Sequence, residues 1–165
     1  MERSTINPYL AGALLLIVAL LQTSVMPKFL VLGVVPDLML LVVVSWTLLR
    51  DVREGIGWAL AGGLMLDLLS SGSFGAITIS LCLSSLATGL GSPSVFQGSS
   101  WLPAAASILA TSIYNLAYVI ILRFSGRAVP WVTSLLQVTM PCMILNAVII
   151  YPIYWIMQWL HRRVM

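Results

Sequence analysis

Apolar runs separated by short polar breaks organise the whole sequence. Charged side chains are absent from residues 4–27 and again from residues 68–122. A helix that crosses a hydrocarbon core of about 30 Å needs about 20 mainly apolar residues. The second uncharged stretch is long enough for two such helices and the loop between them. The pattern therefore predicts an all-α integral membrane protein.

Prolines, glycines and polar clusters divide this pattern into six predicted transmembrane helices. The helices cover residues 8–25, 36–50, 53–69, 74–90, 101–122 and 131–160. They form a single six-helix transmembrane domain over residues 1–165. The first helix is interpreted as a retained span, because no Ala-x-Ala-like signal-peptide cleavage site precedes Met26.

The last predicted helix is the ambiguous one. Residues 131–160 would make a helix of about 45 Å, longer than a bilayer core, and Pro141 and Pro152 interrupt it. In one interpretation a single tilted and kinked helix fills the segment. In the other, residues 131–139 lie near the membrane interface and the span starts around Pro141. We favour the single kinked helix.

Composition narrows the class of protein. Sixty per cent of the residues are hydrophobic and only 8 % are charged, whereas a soluble domain carries about 25 % charged residues. So few charges exclude a soluble catalytic domain. The net charge of +3 comes from loops and the C-terminal tail, so it bears on membrane orientation and does not indicate a nucleic-acid surface.

The basic residues predict the orientation. Six helices place both termini on one side of the membrane, and cytoplasmic loops carry an excess of Lys and Arg. With the N-terminus inside, the cytoplasmic side holds Arg3, Arg50, Arg53, Arg162 and Arg163. The outer side then holds Lys28, Arg123 and Arg127. We therefore expect both termini to be cytoplasmic.

Asp67 is the one ionisable residue well inside an apolar run. A carboxylate exposed to lipid is costly, so an intramembrane Asp is by default a candidate for proton or substrate handling. The competing interpretation is structural, since Asp67 lies three residues before Ser70 and could bond that turn or pair with Arg123. The sequence favours the structural role and leaves the other open.

Small and polar residues recur at helical spacing. Gly55, Ala59 and Gly63 lie four residues apart, on the same face of the third helix as Asp67, and such spacing lets helices approach closely in lipid. We expect this small-residue strip to be an association surface; packing inside the protein's own bundle is the alternative. A second series predicts a polar seam inside the bundle: Ser80, Ser84 and Thr88. Two buried amides are expected to bridge helices: Asn115 and Asn146.

Motifs of catalysis and metal binding are missing from the sequence. It contains no HExxH, no GxSxG and no Walker loop, and its one histidine is near the C-terminus. Cys82 and Cys142 are isolated in apolar runs and are interpreted as small buried hydrophobes. We expect no enzymatic activity, no metal and no cofactor.

One block of the chain resembles the MreD family of rod-shape-determining membrane proteins of bacteria. The block reads VPDLMLLVVVSWTLLRDVREGIGWALAGGLMLDLLSSGSFG. Pro36-Asp37 opens the second helix, Arg53-Glu54-Gly55 opens the third, and a glycine-rich helix leads to Asp67 and the turn at 70–75. Beyond the block the resemblance lies in length, helix count and a basic C-terminal end.

The resemblance implies a non-catalytic scaffold in the bacterial inner membrane. MreD proteins associate with MreC and through it join the MreB filament, the RodA glycosyltransferase and a penicillin-binding transpeptidase, which build side-wall peptidoglycan. The resemblance also implies contact with membrane lipid, no nucleic acid, and compatibility with a homodimer within a complex with MreC. The residue patterns and the resemblance together give eight structural or interaction candidates: Asp37, Arg53, Glu54, Gly55, Ala59, Gly63, Asp67 and Arg123.

A second family supplies the alternative function. MreD is similar in fold to the substrate-binding subunits of energy-coupling-factor vitamin transporters, which implies a small-molecule binding subunit as the runner-up. Those subunits often carry an Ala-x-x-x-Ala pair on the first helix for docking. Here the residue four positions after Ala11 is Leu15, and the residue four positions after Ala13 is Ile17. The Ala-x-x-x-Ala pattern is therefore missing, which favours the scaffold. A ligand-sized cavity lined by convergent polar groups would favour the transporter subunit.

Overall fold

The structure is a computed structural model that describes residues 8–28, 33–70, 72–90, 101–126 and 134–164. Six α-helices account for most of these residues, in agreement with the sequence prediction. They are α1 (Pro8–Ser24), α2 (Leu38–Leu49), α3 (Val52–Leu69), α4 (Ala76–Leu90), α5 (Leu102–Phe124) and α6 (Met140–Val164). A 3₁₀ turn, Met26–Lys28, follows α1, and a π-helical turn, Ser134–Thr139, runs into α6.

Helix α2 is the centre of the bundle. It packs against each of the other five helices, which follow one another around it in the order α1, α3, α4, α5, α6. Nine successive residues of α2, Met39–Thr47, are buried. Its sequence is apolar on every face, as expected of a helix surrounded by other helices.

Local chemistry explains where the helices begin and end. α2 begins at Leu38 because Asp37 is its N-cap and accepts a hydrogen bond from the Leu40 backbone N–H. α3 begins at Val52 behind the N-cap Asp51. α5 extends to Phe124 and is followed by Gly126 at φ +79°, a left-handed conformation typical of helix C-termini.

The last segment combines features of both sequence interpretations. Residues 134–164 are helical throughout, which fits the favoured single helix, while 131–133 lie outside the described residues. The regular α-helix is interrupted by the π-helical turn Ser134–Thr139, which lies directly before Met140 and Pro141. Pro152 lies inside α6, where it removes one backbone hydrogen bond without ending the helix.

Three of the helical segments are long and apolar enough to cross a membrane by themselves. They are Tyr9–Lys28, Leu102–Phe124 and Gln137–Arg163. α2 has 12 residues and is therefore about 18 Å long. The non-helical residues 33–37 continue from its N-terminus, with Val34 and Pro36 buried. Irregular backbone within a bilayer is tolerated where protein covers it or where it lines a cavity, and this segment meets both conditions.

Apolar side chains cover the outer faces of the bundle. Leu16, Ile17 and Leu20 of α1 are about half exposed, and Leu60 and Leu64 of α3 have similar exposure. Exposed apolar surface this extensive marks a protein that contacts membrane lipid. The helices thus bury polar groups inside the bundle and present leucine and isoleucine outside.

Candidate functional site

A cavity of about 300 Å³ lies beside the N-terminus of α2, among α2, α5, the π-helical turn and α6. We call this end of the molecule, where α2, α4 and α6 begin, the Asp37 end. Five polar residues line the cavity: Asp37, Thr111, Tyr114, Asn115 and Asn146. Its apolar lining includes Val34, Leu40 and Val138. The mixture of apolar walls and a few convergent polar groups is typical of ligand sites.

Neutral donors from two helices hold the Asp37 carboxylate. Gln22 at the end of α1 donates from Nε2 to Asp37 Oδ1 at 2.8 Å, and the Leu40 backbone N–H donates to the same oxygen at 3.3 Å. Tyr114 of α5 lines the same cavity. Gln22 Oε1 in turn accepts from the Met39 backbone N–H at 2.7 Å. Through these two hydrogen bonds, Gln22 fixes the end of α1 to the N-cap and the first turn of α2.

Asn146 joins the other side of the cavity. Its Oδ1 accepts from the Asp37 backbone N–H at 3.2 Å, and its Nδ2 donates to Thr111 Oγ1 at 3.1 Å. The Thr111 hydroxyl itself donates a hydrogen bond to the Ser107 carbonyl at 2.7 Å. The side chain of Asn146 is fully buried. It links α6 to α2 and α5, which confirms the prediction that this amide bridges helices.

Asn115 differs from Asn146 in its burial and in its hydrogen bonds. It is half-buried and lines the cavity, and its side chain makes no hydrogen bond to any other described residue. Within the described part of the chain, its amide therefore borders the cavity without a partner. The structure does not support the prediction that Asn115 bridges helices within the described part of the chain.

Asp67 lies at the same end but outside the cavity. Its Oδ1 accepts from the Ile77 backbone N–H at 3.2 Å, and its Oδ2 accepts from the Thr78 backbone N–H at 3.1 Å and from Thr78 Oγ1 at 2.6 Å. These donors belong to the first turn of α4, where backbone N–H groups lack helical partners and the helix dipole is positive. Asp67 thus satisfies the N-terminus of the neighbouring helix.

The small-residue strip of α3 packs inside the bundle. Gly55, Ala59 and Gly63 are all buried. A methyl group added at Gly63 would lie 2.5 Å from Thr78 Cα, and one at Gly55 would lie 2.8 Å from Ser85 Oγ. The expectation that this strip is the association surface is therefore wrong. Its small residues let α3 approach α4 closely within one chain.

The predicted polar seam of α4 is buried. Ser80 and Ser84 are fully buried and Thr88 nearly so. Their hydroxyls donate mainly to the carbonyls four residues earlier in the same helix. Ser84 also lies 3.2 Å from the Ala110 carbonyl of α5, so it is the member of the seam that joins two helices.

Arg53 and Glu54 lie at the opposite end, which we call the Arg50 end. Arg53 is exposed, whereas Glu54 accepts from Trp46 Nε1 at 3.3 Å and lies 3.7 Å from Arg50 Nη1. Trp46 stacks on Trp58 with ring centroids 4.6 Å apart. This group fixes the end of α2 against the beginning of α3.

Among the eight structural or interaction candidates taken from the sequence, Asp37 alone lines the cavity. Asp67 and Arg123 share its end of the molecule, Arg123 in the last turn of α5, whereas Arg53, Glu54 and Gly55 begin α3 at the other end. Sequence reasoning missed Gln22, Thr111 and Tyr114 as members of the site. The available signal was weak: each is a single polar residue in an apolar run.

The fold and this site define the chain as a helical membrane protein whose buried polar groups organise the bundle around a short central helix. Comparison with known families then identifies it further. The chain belongs to the MreD family: the family model described as rod shape-determining protein MreD matches residues 3–164. MreD is a family of shape-determining membrane proteins, and this membership confirms the resemblance noted in the sequence.

Comparisons with curated proteins and with solved structures found no match. The expected similarity to the substrate-binding subunits of energy-coupling-factor transporters therefore stays a prediction. The all-helical architecture with a central α2 is the established part of the fold.

Proposed function

We propose that this chain is a non-catalytic scaffold of the bacterial cell-elongation complex, which binds MreC in the inner membrane and helps couple the MreB cytoskeleton to side-wall peptidoglycan synthesis. The observation that carries the proposal is the MreD family match over residues 3–164. The same proposal places both termini in the cytoplasm. The Arg50 end then faces the cytoplasm and the Asp37 end faces the periplasm.

The packing of the bundle supports a scaffold. α2 is enclosed by the other helices, and hydrogen bonds of Gln22, Asp67 and Asn146 tie neighbouring helix ends together. A framework fixed at its ends can present constant surfaces to partners. Because the strip of α3 is internal, the MreC-binding surface is proposed to lie on the exposed outer faces.

Depletion of the protein in its source bacterium tests the proposed role. Cells that lose a scaffold of side-wall synthesis should widen and become round while they continue to divide. Light microscopy of cell width and length over several generations measures this. Cells that keep a normal width after the protein has disappeared from the membrane would contradict the proposal.

The cavity supports a second candidate, a small-molecule binding subunit of a membrane transporter. A volume of about 300 Å³ lies at the lower end of the range for ligand pockets. The same depletion strain separates the two functions, because loss of a transporter subunit should leave cell shape intact and abolish uptake of a vitamin-like compound. The missing Ala-x-x-x-Ala pair on α1 makes this the weaker candidate.

A further inference from the structure

We propose that the cavity beside Asp37 binds a small molecule that carries a protonated primary amine and a neighbouring hydroxyl group, with the ammonium on the Asp37 carboxylate. This inference concerns the cavity alone. It is independent of both proposed functions, since a scaffold or a transporter subunit can hold such a ligand.

Charge is the first argument. Among the described residues that line the cavity, Asp37 is the one whose side chain is of a type that carries a charge at neutral pH. Its hydrogen-bond partners among the described residues, the Gln22 amide and the Leu40 N–H, are neutral donors. They stabilise the carboxylate through hydrogen bonds but leave its charge uncompensated in an apolar surrounding, where ions are costly. A carboxylate has about four acceptor positions, and both hydrogen bonds from described residues go to Oδ1, so Oδ2 remains for a cationic donor.

Size and lining select an organic cation. Since a water molecule occupies about 30 Å³ in the liquid, a cavity of about 300 Å³ holds roughly ten non-hydrogen atoms. An inorganic ion would fill a small part of this space and would need oxygen ligands on several sides. The side chains of Val34, Leu40 and Val138 offer no oxygens but fit a short carbon skeleton.

Asn115 supplies the second polar contact. Its amide lines the same cavity and makes no hydrogen bond to other described residues. An amide both donates and accepts, so it matches a hydroxyl group, which does the same. A carboxylate and an amide that has no partner among the described residues, in the lining of one cavity, thus fit an amino alcohol, with the ammonium on Asp37 and the hydroxyl on Asn115.

Thermal unfolding of the purified full-length chain in detergent tests the proposal, with ethanolamine as the probe in an amine-free buffer near neutral pH. Ethanolamine should raise the melting temperature in a saturable manner. Ethylene glycol, which lacks the ammonium, and sodium chloride at the same ionic strength should not. A shift of equal size with ethylene glycol or with sodium alone would overturn the proposal.

Variants locate the site. Asp37→Asn should weaken ethanolamine binding by about tenfold or more, because it removes a charge-assisted hydrogen bond. Asp67→Asn is the matched control: it neutralises a second buried carboxylate at the same end, outside the cavity, and should keep wild-type affinity. If Asp37→Asn does not fold, Asn115→Leu serves instead. It should weaken binding of ethanolamine several-fold and leave butylamine binding nearly unchanged. Equal affinity in every variant would contradict the assignment to this cavity.

Two sources can provide the amine, and a further arm distinguishes them. Saturable binding of free ethanolamine in detergent assigns a soluble ligand. Stabilisation in nanodiscs of phosphatidylethanolamine relative to phosphatidylglycerol, lost in Asp37→Asn and kept in Asp67→Asn, assigns the amine to the headgroup of a lipid. In that ligand a phosphate ester oxygen takes the place of the hydroxyl and accepts from the Asn115 amide. An absence of both effects in the folded wild-type protein rejects the amine site.

Discussion

At the scale of single residues, two buried aspartates show how surroundings decide the role of the same side chain. Both lie at one end of the molecule and both accept hydrogen bonds from backbone N–H groups. Asp67 is nearly fully buried, and its two oxygens accept three donors from α4. Asp37 is half-buried and keeps part of its surface on the cavity. We therefore assign Asp67 to stability and Asp37 to binding.

The stability role of Asp67 leads to a direct prediction. Asp67→Leu removes all acceptors from the first turn of α4 and should lower the free energy of unfolding by roughly 1–3 kcal/mol. Asp67→Asn keeps one acceptor oxygen and the size of the side chain, so this variant should accumulate in the membrane. Its melting temperature should lie between those of the wild type and Asp67→Leu. Thermal melting in detergent measures the order. A leucine variant as stable as the wild type would refute the role.

The sequence predicted Asp67 as a residue of interest because a lone charge in an apolar run stands out. It could not predict the partners, since Ile77 and Thr78 contact Asp67 only after α3 and α4 pack side by side. Gln22 and Tyr114 are harder cases. Polar residues of this kind are common in membrane helices, and their positions around Asp37 depend on the relative rotation of α1, α2 and α5.

At the scale of the helices, close approach of α3 and α4 depends on glycine at defined positions. Gly63 faces the backbone of Thr78, whereas Gly57 on the same helix is exposed and has no atom within 4 Å of an added methyl group. The two glycines therefore form a matched pair for substitution by alanine.

Gly63→Ala should overpack the interface and cost roughly 1–3 kcal/mol of stability. Gly57→Ala should leave the melting temperature unchanged or slightly raised, because alanine favours helix formation. Ala59→Leu should destabilise the protein as Gly63→Ala does, since Ala59 is fully buried. If Gly57→Ala were the more harmful of the two glycine substitutions, the internal packing of α3 described above would be incorrect.

Helix positions were accessible from the sequence because helix ends have local signals. Pro36-Asp37 and the turn at Gly75, with φ +87°, lie within two residues of the observed starts of α2 and α4. The π-helical turn Ser134–Thr139 has no comparable signal. It depends on how this segment packs against α5 and α6, which a one-dimensional pattern does not contain.

At the scale of the whole molecule, the described charged residues divide between the two ends of the bundle. Lys28, Asp37, Asp67 and Arg123 lie toward the Asp37 end. The other described charged residues lie toward the Arg50 end: Arg50, Asp51, Arg53, Glu54, Arg162 and Arg163. Among the described residues, the Arg50 end thus holds four Lys or Arg residues and the Asp37 end two. The positive-inside rule then favours a cytoplasmic Arg50 end. The sequence predicted this division. It did not predict that α2 occupies the centre, because several helices are equally apolar.

Cysteine labelling tests the orientation. In a background with Cys82 and Cys142 replaced by alanine, Ser125→Cys and Asp51→Cys place thiols at exposed positions of the two ends. A membrane-impermeant maleimide added to intact cells, or to spheroplasts where an outer membrane is present, should label position 125 only. Position 51 should react after the inner membrane is permeabilised. Labelling of position 51 alone before permeabilisation would reverse the proposed topology.

The proposed scaffold function depends most directly on the association with MreC. The measurement is affinity purification of the tagged full-length chain from native membranes of its source bacterium, followed by quantification of the proteins that accompany it. The account predicts strong enrichment of MreC over an unrelated tagged membrane protein, and no enrichment of transporter ATPase subunits. Recovery of transporter ATPase subunits without MreC, from protein that is intact and folded, would contradict it.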